Sequence, residues 1–345
     1  MGTPKRSFNV GFVGIGQGGC KIAKSFADLG YESIYLNTAR IDLEALNVGI
    51  ERRLIVGKSE DGAGKQPKIA EQAVNDSEDM IELMMEEFFG DVDRIIVCAG
   101  AGGGTGTGGA IPLIELSKKF MSEGRKKPDS VGLIITSPRK LECSSTIVKK
   151  NAKDLLQAVC KMCGDGQISP LMILNNRRIK NVIPKATMKN MWSLANEHVA
   201  GLFEEFNTIT QTPSDFECMD KSDLETIMLK PGCVSFGKVS INADCSAQSI
   251  KNCVFQLFSS TLFSHSESDV SQQSFGIIIK VPTEVFETNE MFFENLESGL
   301  QMVLTQLRGG YLHKGIYEDP TISEPVIYCI SRGIKGPEKK VIQEL

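Results

Sequence analysis

The sequence predicts an α/β protein in which a parallel-sheet domain and a second, smaller α/β domain are joined by one long central helix. The chain has 345 residues, more than the roughly 100 to 200 typical of one domain, so two domains are expected. Short apolar runs alternate with helix-period segments through the first half, as in βαβ units. One long segment with apolar residues at helical spacing follows and favours a central helix.

Five short apolar runs in the first half are predicted to be strands of one sheet. The run at 131–135 is apolar almost without interruption, which indicates a strand buried on both faces. Parallel sheets covered by helices are built from such strands. The predicted strands cover residues 8–13, 33–36, 94–99, 131–135 and 171–174.

The second half begins with the central helix, which is followed by a loop and then by further strands and helices. Apolar side chains, Trp192 and Val199 among them, recur near every 3.6 positions over 186–206. Beyond a loop, strands are predicted near 233–241, 275–281 and 325–331, and helices near 246–263 and 289–306. The predicted parts are a first domain at 1–185, the central helix at 186–207, a loop with a connecting helix at 208–232, a second domain at 233–335 and a short tail at 336–345.

The charge balance argues against a direct nucleic-acid partner. Lys plus Arg total 38 and Asp plus Glu 43, so the net charge of −5 has the wrong sign for neutralising phosphates over a broad surface. No apolar run reaches the roughly 18 to 20 residues that a membrane-spanning helix needs, and no signal-peptide pattern follows Met1. We therefore expect no direct DNA binding, no membrane insertion and a cytoplasmic location.

The cysteines and histidines do not form a recognisable metal or redox motif. The ten cysteines are scattered, several inside apolar runs, as is typical of reduced thiols in a cytoplasm. Cys160 and Cys163 form the only CxxC pair, and the three histidines lie far from it in sequence, so no metal site is expected. With so few histidines, we also expect no catalytic scheme built on imidazole.

The sharpest motif is a glycine-rich segment at 99–109. It lies between the strand that ends at Cys98 and a helix predicted to open at Ile111 and Pro112. Glycines let backbone N–H groups approach an anion, and a helix N-terminus adds partial positive charge. Proline fits a first helical turn because that N–H has no partner within the helix. We interpret the segment as a phosphate-binding loop; the alternative is a flexible linker.

Two further glycine turns are predicted to converge on the same ligand. The turn at 14–19 spells GxGxxG, but the next strand ends in Asn37 and Thr38 without the acidic residue that a dinucleotide site requires. The P-loop pattern also fails, because Arg52 stands where its leading glycine belongs. With the third turn at 61–64, three anion cradles would meet at one edge of an open parallel sheet, which favours a nucleoside di- or triphosphate.

With these motifs, the chain resembles the tubulin/FtsZ superfamily of polymerising GTPases. The superfamily's signature loop, GGGTG[ST]G, is present unaltered at 102–108. The resemblance runs in family order from about Asn9 to Phe236 and is strongest to the TubZ group of plasmid and phage tubulins. The segments that carry it are 15–19, Asn37 and Thr38 with Asp42 and Leu43, 62–65 and 174–177.

The resemblance implies a tubulin/FtsZ-like fold whose first domain binds GTP or GDP with Mg²⁺. It assigns the phosphates to the three glycine turns and to the end of the second strand. The residues that match the family's phosphate-binding positions are Gly16, Gln17, Gly18, Gly19, Asn37, Gly62, Ala63, Gly64, Gly102, Gly103, Gly104, Thr105, Gly106, Thr107 and Gly108.

The resemblance also implies how the base and ribose are bound. Asn176 matches the asparagine that hydrogen-bonds the guanine edge, and Glu142 matches a glutamate that contacts the ribose. Trp192 and Asn196 lie four residues apart and so share a helix face, where the first would stack on the base and the second read it. A core position in its apolar stripe is the alternative for Trp192. Thr146 stands where cell-division members carry an arginine.

The resemblance further implies that Asp220 and Asp223 are catalytic. In the family, the loop after the central helix carries two acidic residues three apart and enters the nucleotide pocket of the neighbouring subunit. Two carboxylates on one turn can orient a water that faces the γ-phosphate. Helix capping by Asp220 or Ser222 is the alternative. Cys218 departs from the asparagine of cell-division members.

The implied function is GTP hydrolysis coupled to head-to-tail polymerisation of identical subunits. No membrane tether is visible in the tail, which favours plasmid or phage DNA segregation or positioning over a division ring. Attachment to DNA would then require an adaptor protein. The alternatives are an FtsZ-like division or other scaffold filament and, from a different class, an NAD-dependent enzyme that uses the turn at 14–19.

Overall fold

One ten-stranded sheet runs through the protein and is covered by helices. The computed structural model describes residues 5–58, 60–123, 130–229, 232–259, 261–263, 274–307, 311–334 and 342–345. Most of the predicted tail at 336–345 therefore lies outside the described residues. The strands are β1 Val10–Ile15, β2 Glu32–Asn37, β3 Arg53–Ile55, β4 Arg94–Gly100, β5 Val131–Ser137, β6 Leu171–Asn175, β7 Cys233–Ser240, β8 Ser274–Val281, β9 Tyr311–Glu318 and β10 Val326–Ile334.

Twelve α-helices connect and cover these strands in the part of the chain that the structure describes. They are α1 Gly16–Ala27, α2 Arg40–Glu44, α3 Pro67–Asn75, α4 Glu78–Phe89, α5 Thr105–Glu123, α6 Thr146–Gly164, α7 Ile179–Val182, α8 Met191–Ile209, α9 Lys221–Leu229, α10 Ala247–Ser259, α11 Thr283–Thr288 and α12 Glu290–Gln306. None of these helices combines the length and the hydropathy that crossing a bilayer requires. The α/β architecture predicted from the sequence is confirmed.

The sheet order is β3-β2-β1-β4-β5-β6-β7-β10-β8-β9. The first six strands pair in parallel, and β7 joins them through the single register pair Leu171 and Cys233. Strand β10 is antiparallel to both of its neighbours, and β9 pairs with β8 in parallel at the far edge. The chain order reverses between β1 and β4, which creates a crevice at the carboxyl ends of these strands.

The parallel strands are buried on both faces because two helical layers enclose them. On β4, Ile96 and Cys98 contribute to one core cluster and Ile95 and Val97 to the other. Successive strand residues point to opposite faces, so an unbroken apolar run is what two buried faces require. The prediction of a doubly covered parallel sheet is confirmed.

The central helix α8 packs on both parts of the sheet. The Phe203 ring centroid lies 6.0 Å from that of Phe12 on β1 and 6.2 Å from that of Phe236 on β7. At the end of the helix, Asn207 accepts from the Phe8 N–H and donates to the Phe8 carbonyl at 2.8 and 2.9 Å. These contacts fix the end of α8 beside the start of β1.

Three helix boundaries differ from the sequence prediction by four residues or more. The central helix starts at Met191 rather than at 186, because the Asn190 carboxamide accepts from the N–H and hydroxyl of Thr187 and closes a turn before it. Helix α5 starts at Thr105, so Pro112 lies inside the helix and not in its first turn. Helix α10 ends at Ser259 rather than at 263, and Phe263 instead bridges to Leu174.

Strand β9 was not predicted. Tyr311–Glu318 extends the sheet as its last strand and pairs with β8 over all eight residues. Polar His313 and Lys314 interrupt its apolar pattern, and the strand conformation comes from long-range pairing.

Candidate functional site

A cleft of about 680 Å³ opens at the carboxyl ends of the parallel strands, where the strand order reverses. Glycine-rich backbone forms one end of it, and polar and aromatic side chains form the other. The lining residues that the sequence predicted are Gly16, Gln17, Gly18, Asn37, Gly102, Gly103, Gly104, Thr105, Gly106, Glu142, Asn176, Trp192 and Asn196.

The first glycine turn passes directly from β1 into α1. Gly16 has a φ of +72°, a conformation that side-chain-bearing residues rarely adopt, and Gln17 and Gly18 face the cleft. The Gln17 carboxamide donates to Oδ1 of Asp42 at 3.0 Å, and Asn37 donates to Oδ2 of Asp42 at 3.2 Å. Asp42 thereby holds α2 against the first turn and keeps both predicted side chains in place.

Gly19 has a packing role and does not line the cleft. A Cβ at this position would lie 2.0 Å from the carbonyl oxygen of Cys98, so only glycine lets α1 approach β4 this closely. The neighbouring Cys20 thiol is fully buried, and burial raises its pKa. Gly19 therefore supports the cleft by letting α1 pack closely on β4.

The second glycine loop lies at the end of β4 and runs into the first turn of α5. The Gly102 N–H donates to Oγ1 of Thr107 at 3.0 Å, and the Thr105 and Thr38 hydroxyls lie 2.6 Å apart. Gly103 is exposed, with open space where a Cβ would stand. Because α5 starts at Thr105, the partial positive charge of its N-terminus is directed at the cleft.

Thr107 and Gly108 belong to the packed side of this loop and do not line the cleft. A Cβ on Gly108 would lie 1.8 Å from the carbonyl oxygen of Pro67, so α5 and the start of α3 touch through backbone atoms. This packing explains how the glycine-rich turn can be helical, since α3 holds it in place. The prediction that the helix opens at Ile111 and Pro112 is therefore wrong.

The third turn, Gly62, Ala63 and Gly64, supports the loop rather than lining the cleft. The Gly62 N–H donates to the Thr38 carbonyl at 3.0 Å, and Ala63 is buried. Lys65, the next residue, does line the cleft and adds a positive charge.

Asn151 on α6 joins the second and third turns and was missed in the sequence. Its carboxamide nitrogen lies 3.0 Å from the Lys65 carbonyl and 3.4 Å from the carbonyls of Gly102 and Gly103. A single asparagine inside an amphipathic helix gives no sequence signal of such a role, because its partners are distant backbone atoms.

The far end of the cleft is formed by Glu142, Asn176, Trp192 and Asn196. No hydrogen bond from the Asn176 or Asn196 side chain is formed within the described ranges, although Asn196 is only 8% exposed. Two amides that the fold leaves available in a cleft can recognise a polar ring edge. Thr146, at the position of the arginine in cell-division members, does not line the cleft.

Arg139 lies beside this end of the cleft and was also missed. Its guanidinium carbon is 5.0 Å from the Trp192 ring centroid, within the range of a cation–π contact. The backbone N–H of Arg139 donates to Oε2 of Glu142 at 2.6 Å. Arg139 thus links the tryptophan to the carboxylate of Glu142.

Asp220 and Asp223 lie at the opposite end of the molecule. Helix α8 has 19 residues, about 28 Å at 1.5 Å per residue, and separates their loop from Trp192 in its first turn. The Asp223 N–H donates to Oδ1 of Asp220 at 2.9 Å, and the Asp220 N–H donates to Oδ2 of Asp223 at 3.1 Å. The pair is a capping box for α9, and neither carboxylate can reach the cleft of its own chain.

His313 on β9 contacts this acidic pair and was not predicted to take part. Its Nδ1 lies 2.7 Å from Oδ1 of Asp223. The small number of histidines argued against a role for imidazole. The contact joins residues 90 positions apart, so no local pattern could predict it.

The family model of the Tubulin/FtsZ family GTPase domain matches residues 9–184. Tubulin-like protein TubZ of Bacillus cereus is 27% identical over 256 residues, which cover 69% of this chain and 56% of the relative. The chain thus spans little more than half the length of that relative. Tubulin-like protein CetZ of Pyrococcus furiosus is 27% identical over 354 residues, covering 96% and 87%.

Solved structures show the same fold. A GTPγS-form protofilament of Bacillus thuringiensis serovar israelensis TubZ superposes with a TM-score of 0.80 at 21% identity, covering 99% of this chain and 92% of that one. The family match includes the glycine turns and the strands around the cleft. The chain belongs to the Tubulin/FtsZ family.

Proposed function

We propose that the protein binds GTP in the cleft, polymerises head to tail, and hydrolyses GTP at a site completed by the next copy. The part that the next copy contributes is its acidic loop, the segment from the end of α8 to the first turn of α9 with the Asp220 and Asp223 carboxylates. The observation that carries this proposal is the separation of Asp220 and Asp223 from the cleft by the length of α8. The chemistry of both parts fits one reaction, yet a single chain cannot bring them together. A head-to-tail copy places the acidic end of one subunit against the cleft of its neighbour.

The two ends of the cleft suit the two ends of GTP. Backbone N–H groups of the first two glycine turns, the α5 N-terminus and the ammonium groups of Lys21 and Lys65 suit a triphosphate. At the other end, Asn176 and Asn196 offer free amides to the guanine edge, and Trp192 offers a stacking face. The dehydrogenase alternative has no comparable support, because the chain belongs to a GTPase family.

Magnesium would enter with the nucleotide. Mg²⁺ usually keeps several waters and takes its other ligands from phosphates and one or two carboxylates. Asp42 and Glu142 are the carboxylates among the residues that line the cleft, and Asp42 lies beside the glycine turns, so the residues present fit the ion. When bound, Mg²⁺ would neutralise charge that develops on the phosphates.

Hydrolysis then depends on how the acidic pair presents its oxygens. Oδ1 of Asp220 and Oδ2 of Asp223 accept the capping hydrogen bonds, so the second oxygen of Asp220 remains available to accept from a water. Ordering that water against the γ-phosphate supplies position and partial deprotonation. Turnover should therefore require contact between subunits.

The cellular role we propose is plasmid or phage DNA segregation or positioning in the cytoplasm, through an adaptor that binds DNA. The net charge of −5 supports an adaptor over direct contact. An FtsZ-like scaffold remains the second candidate, since cell division protein FtsZ 1 of Archaeoglobus fulgidus is 25% identical over 248 residues.

The test is phosphate release across a protein dilution series, with pelleting in parallel, for wild type and Asp223→Ala. We expect wild-type turnover per subunit to rise steeply above a critical concentration. Asp223→Ala should bind GTP and polymerise, but its filaments should persist with little phosphate release. Asp215→Ala is the matched control, because Asp215 is an exposed acidic residue of the same loop and is expected to leave turnover unchanged.

Two results would remove the split-site mechanism. One is wild-type turnover that does not depend on protein concentration. The other is undiminished turnover in polymerised Asp223→Ala, which would leave Asp223 with the capping role alone.

A further inference from the structure

Strand β9 forms a platform for the acidic loop. The Ile316 N–H donates to the Glu217 carbonyl at 2.9 Å, and the Met219 N–H donates to the Tyr317 hydroxyl at 2.9 Å. His313, on the same strand, contacts Asp223. The loop therefore covers the open edge of β9, which would otherwise present unpaired backbone groups.

The Asp223 carboxylate is fixed at both oxygens by two different elements. Oδ2 accepts from the Asp220 N–H at 3.1 Å within the capping box, and Oδ1 lies 2.7 Å from Nδ1 of His313. Capping requires only the first of these contacts. The imidazole contact therefore adds a restraint on the carboxylate that helix α9 does not need.

The tautomer of His313 follows from its partners. An ionised carboxylate only accepts hydrogen bonds, so Nδ1 carries the hydrogen and donates it in the hydrogen bond to Asp223. Nε2 is buried and has no hydrogen-bond partner in the part of the chain that the structure describes. The side chains of His313 and Asp223 are 22% and 29% exposed, so solvent competes only partly with their contact.

We propose that His313 is a positioning residue for GTP hydrolysis, which holds the Asp223 carboxylate in the orientation that the neighbouring subunit's nucleotide requires. The inference rests on the proposed catalytic role of Asp223. His313 does not touch the reacting atoms; it donates from Nδ1 and removes the rotation that Asp223 would otherwise have about its side-chain bonds. A side chain with a donor at the same place should do the same.

The test compares His313→Asn with His313→Leu. The asparagine amide nitrogen can occupy the place of Nδ1 and donate to Asp223, whereas leucine fills a similar volume without a donor. The measurements are GTP affinity, critical concentration and phosphate release per pelleted subunit. We expect His313→Leu to lose about tenfold in turnover at unchanged GTP affinity, with filaments that persist as those of Asp223→Ala do. His313→Asn should recover most of the lost turnover.

A double variant separates this inference from the proposed function. In the Asp223→Ala background, His313→Leu should cause no further loss, because the group that it positions is gone. Undiminished turnover in Asp223→Ala alone would overturn the catalytic role of Asp223 and this inference with it. A low turnover in Asp223→Ala beside full turnover in His313→Leu would overturn the inference alone.

Equal losses in His313→Asn and His313→Leu would also overturn it, because they would show that the imidazole acts through packing and not through its donor. If His313→Leu does not fold, His313→Ala takes its place in the comparison with His313→Asn. Thermal unfolding of each variant identifies that case.

Discussion

The carboxylates of Asp220 and Asp223 each accept a hydrogen bond from the other residue's backbone N–H, at 2.9 Å for Asp220 and 3.1 Å for Asp223. Together they form a reciprocal capping box at the start of α9. The same two carboxylates are the pair proposed to act on the neighbouring subunit's nucleotide. Capping and catalysis are compatible, because the box leaves the second oxygen of Asp220 unused and holds Asp223 through Oδ2 alone. The two roles can nevertheless be separated by substitution.

Replacement of Asp220 should separate stability from turnover. Serine is as good an N-cap as aspartate but has no carboxylate, whereas alanine loses about 1 kcal/mol of cap stabilisation. We expect Asp220→Ser to keep the wild-type thermal midpoint and Asp220→Ala to lower it, while both lose phosphate release. Recovery of turnover in Asp220→Ser would mean that Asp220 acts as a cap only.

Addition of a methyl group at Gly103 should weaken GTP binding without unfolding the protein. A Cβ there meets no atom within 4 Å, and Gly103 lines the cleft, so the methyl group would occupy ligand space. Overpacking of about 1 to 3 kcal/mol predicts an affinity loss of roughly 5- to 150-fold in titration calorimetry. Gly164→Ala at the end of α6, where a Cβ also meets nothing, is the matched control and should bind normally.

Base selectivity should depend on Asn176 and not on its neighbour Asn175. Asn176→Ala removes a free amide from the cleft, so GTP should lose about 1 to 3 kcal/mol of binding and ATP much less. Asn175 accepts from the Arg177 N–H at 3.0 Å and donates to Glu344 at 2.7 Å, so Asn175→Ala should lower stability at unchanged selectivity. Equal GTP and ATP losses in Asn176→Ala would contradict the assignment.

The contact between β9 and the acidic loop should be sensitive to Gly315. A Cβ at this position would lie 2.9 Å from the Met219 nitrogen and 2.6 Å from the Tyr317 ring. We expect Gly315→Ala to cost about 1 to 3 kcal/mol in denaturant unfolding and to reduce turnover more than GTP affinity. Lys314→Ala, which removes a partly exposed ion pair with Glu217, should cost at most about 1 kcal/mol. Equal costs would argue against close packing at Gly315.

The parallel half of the fold and the glycine turns could be predicted because their signals are local. An unbroken apolar run such as that of β5 indicates a strand buried on both faces. Glycines between a strand and a helix indicate that the backbone comes close to another group. Membership in the family was predicted from the same segments. The domain boundaries and the roles of the site residues stay predictions.

The missed features all depend on contacts between distant parts of the chain. Strand β9 exists because β8 and the acidic loop pair with it, and His313 meets Asp223 only through that pairing. The early start of α5 depends on the packing of Gly108 against Pro67, which outweighs the cost of Pro112 inside the helix. Arg139 and Asn151 carry no motif, and their partners are set by the fold.

Trp192 is the single tryptophan of the chain, and it lines the cleft beside the Arg139 guanidinium. Light absorbed selectively by indole is therefore absorbed at one place in the protein. Its emission reports on the cleft without any attached dye, and it can be recorded in subunits too dilute to assemble. The occupancy of the cleft and the growth of filaments can thus be followed as two separate optical signals, tryptophan emission for the first and light scattering for the second.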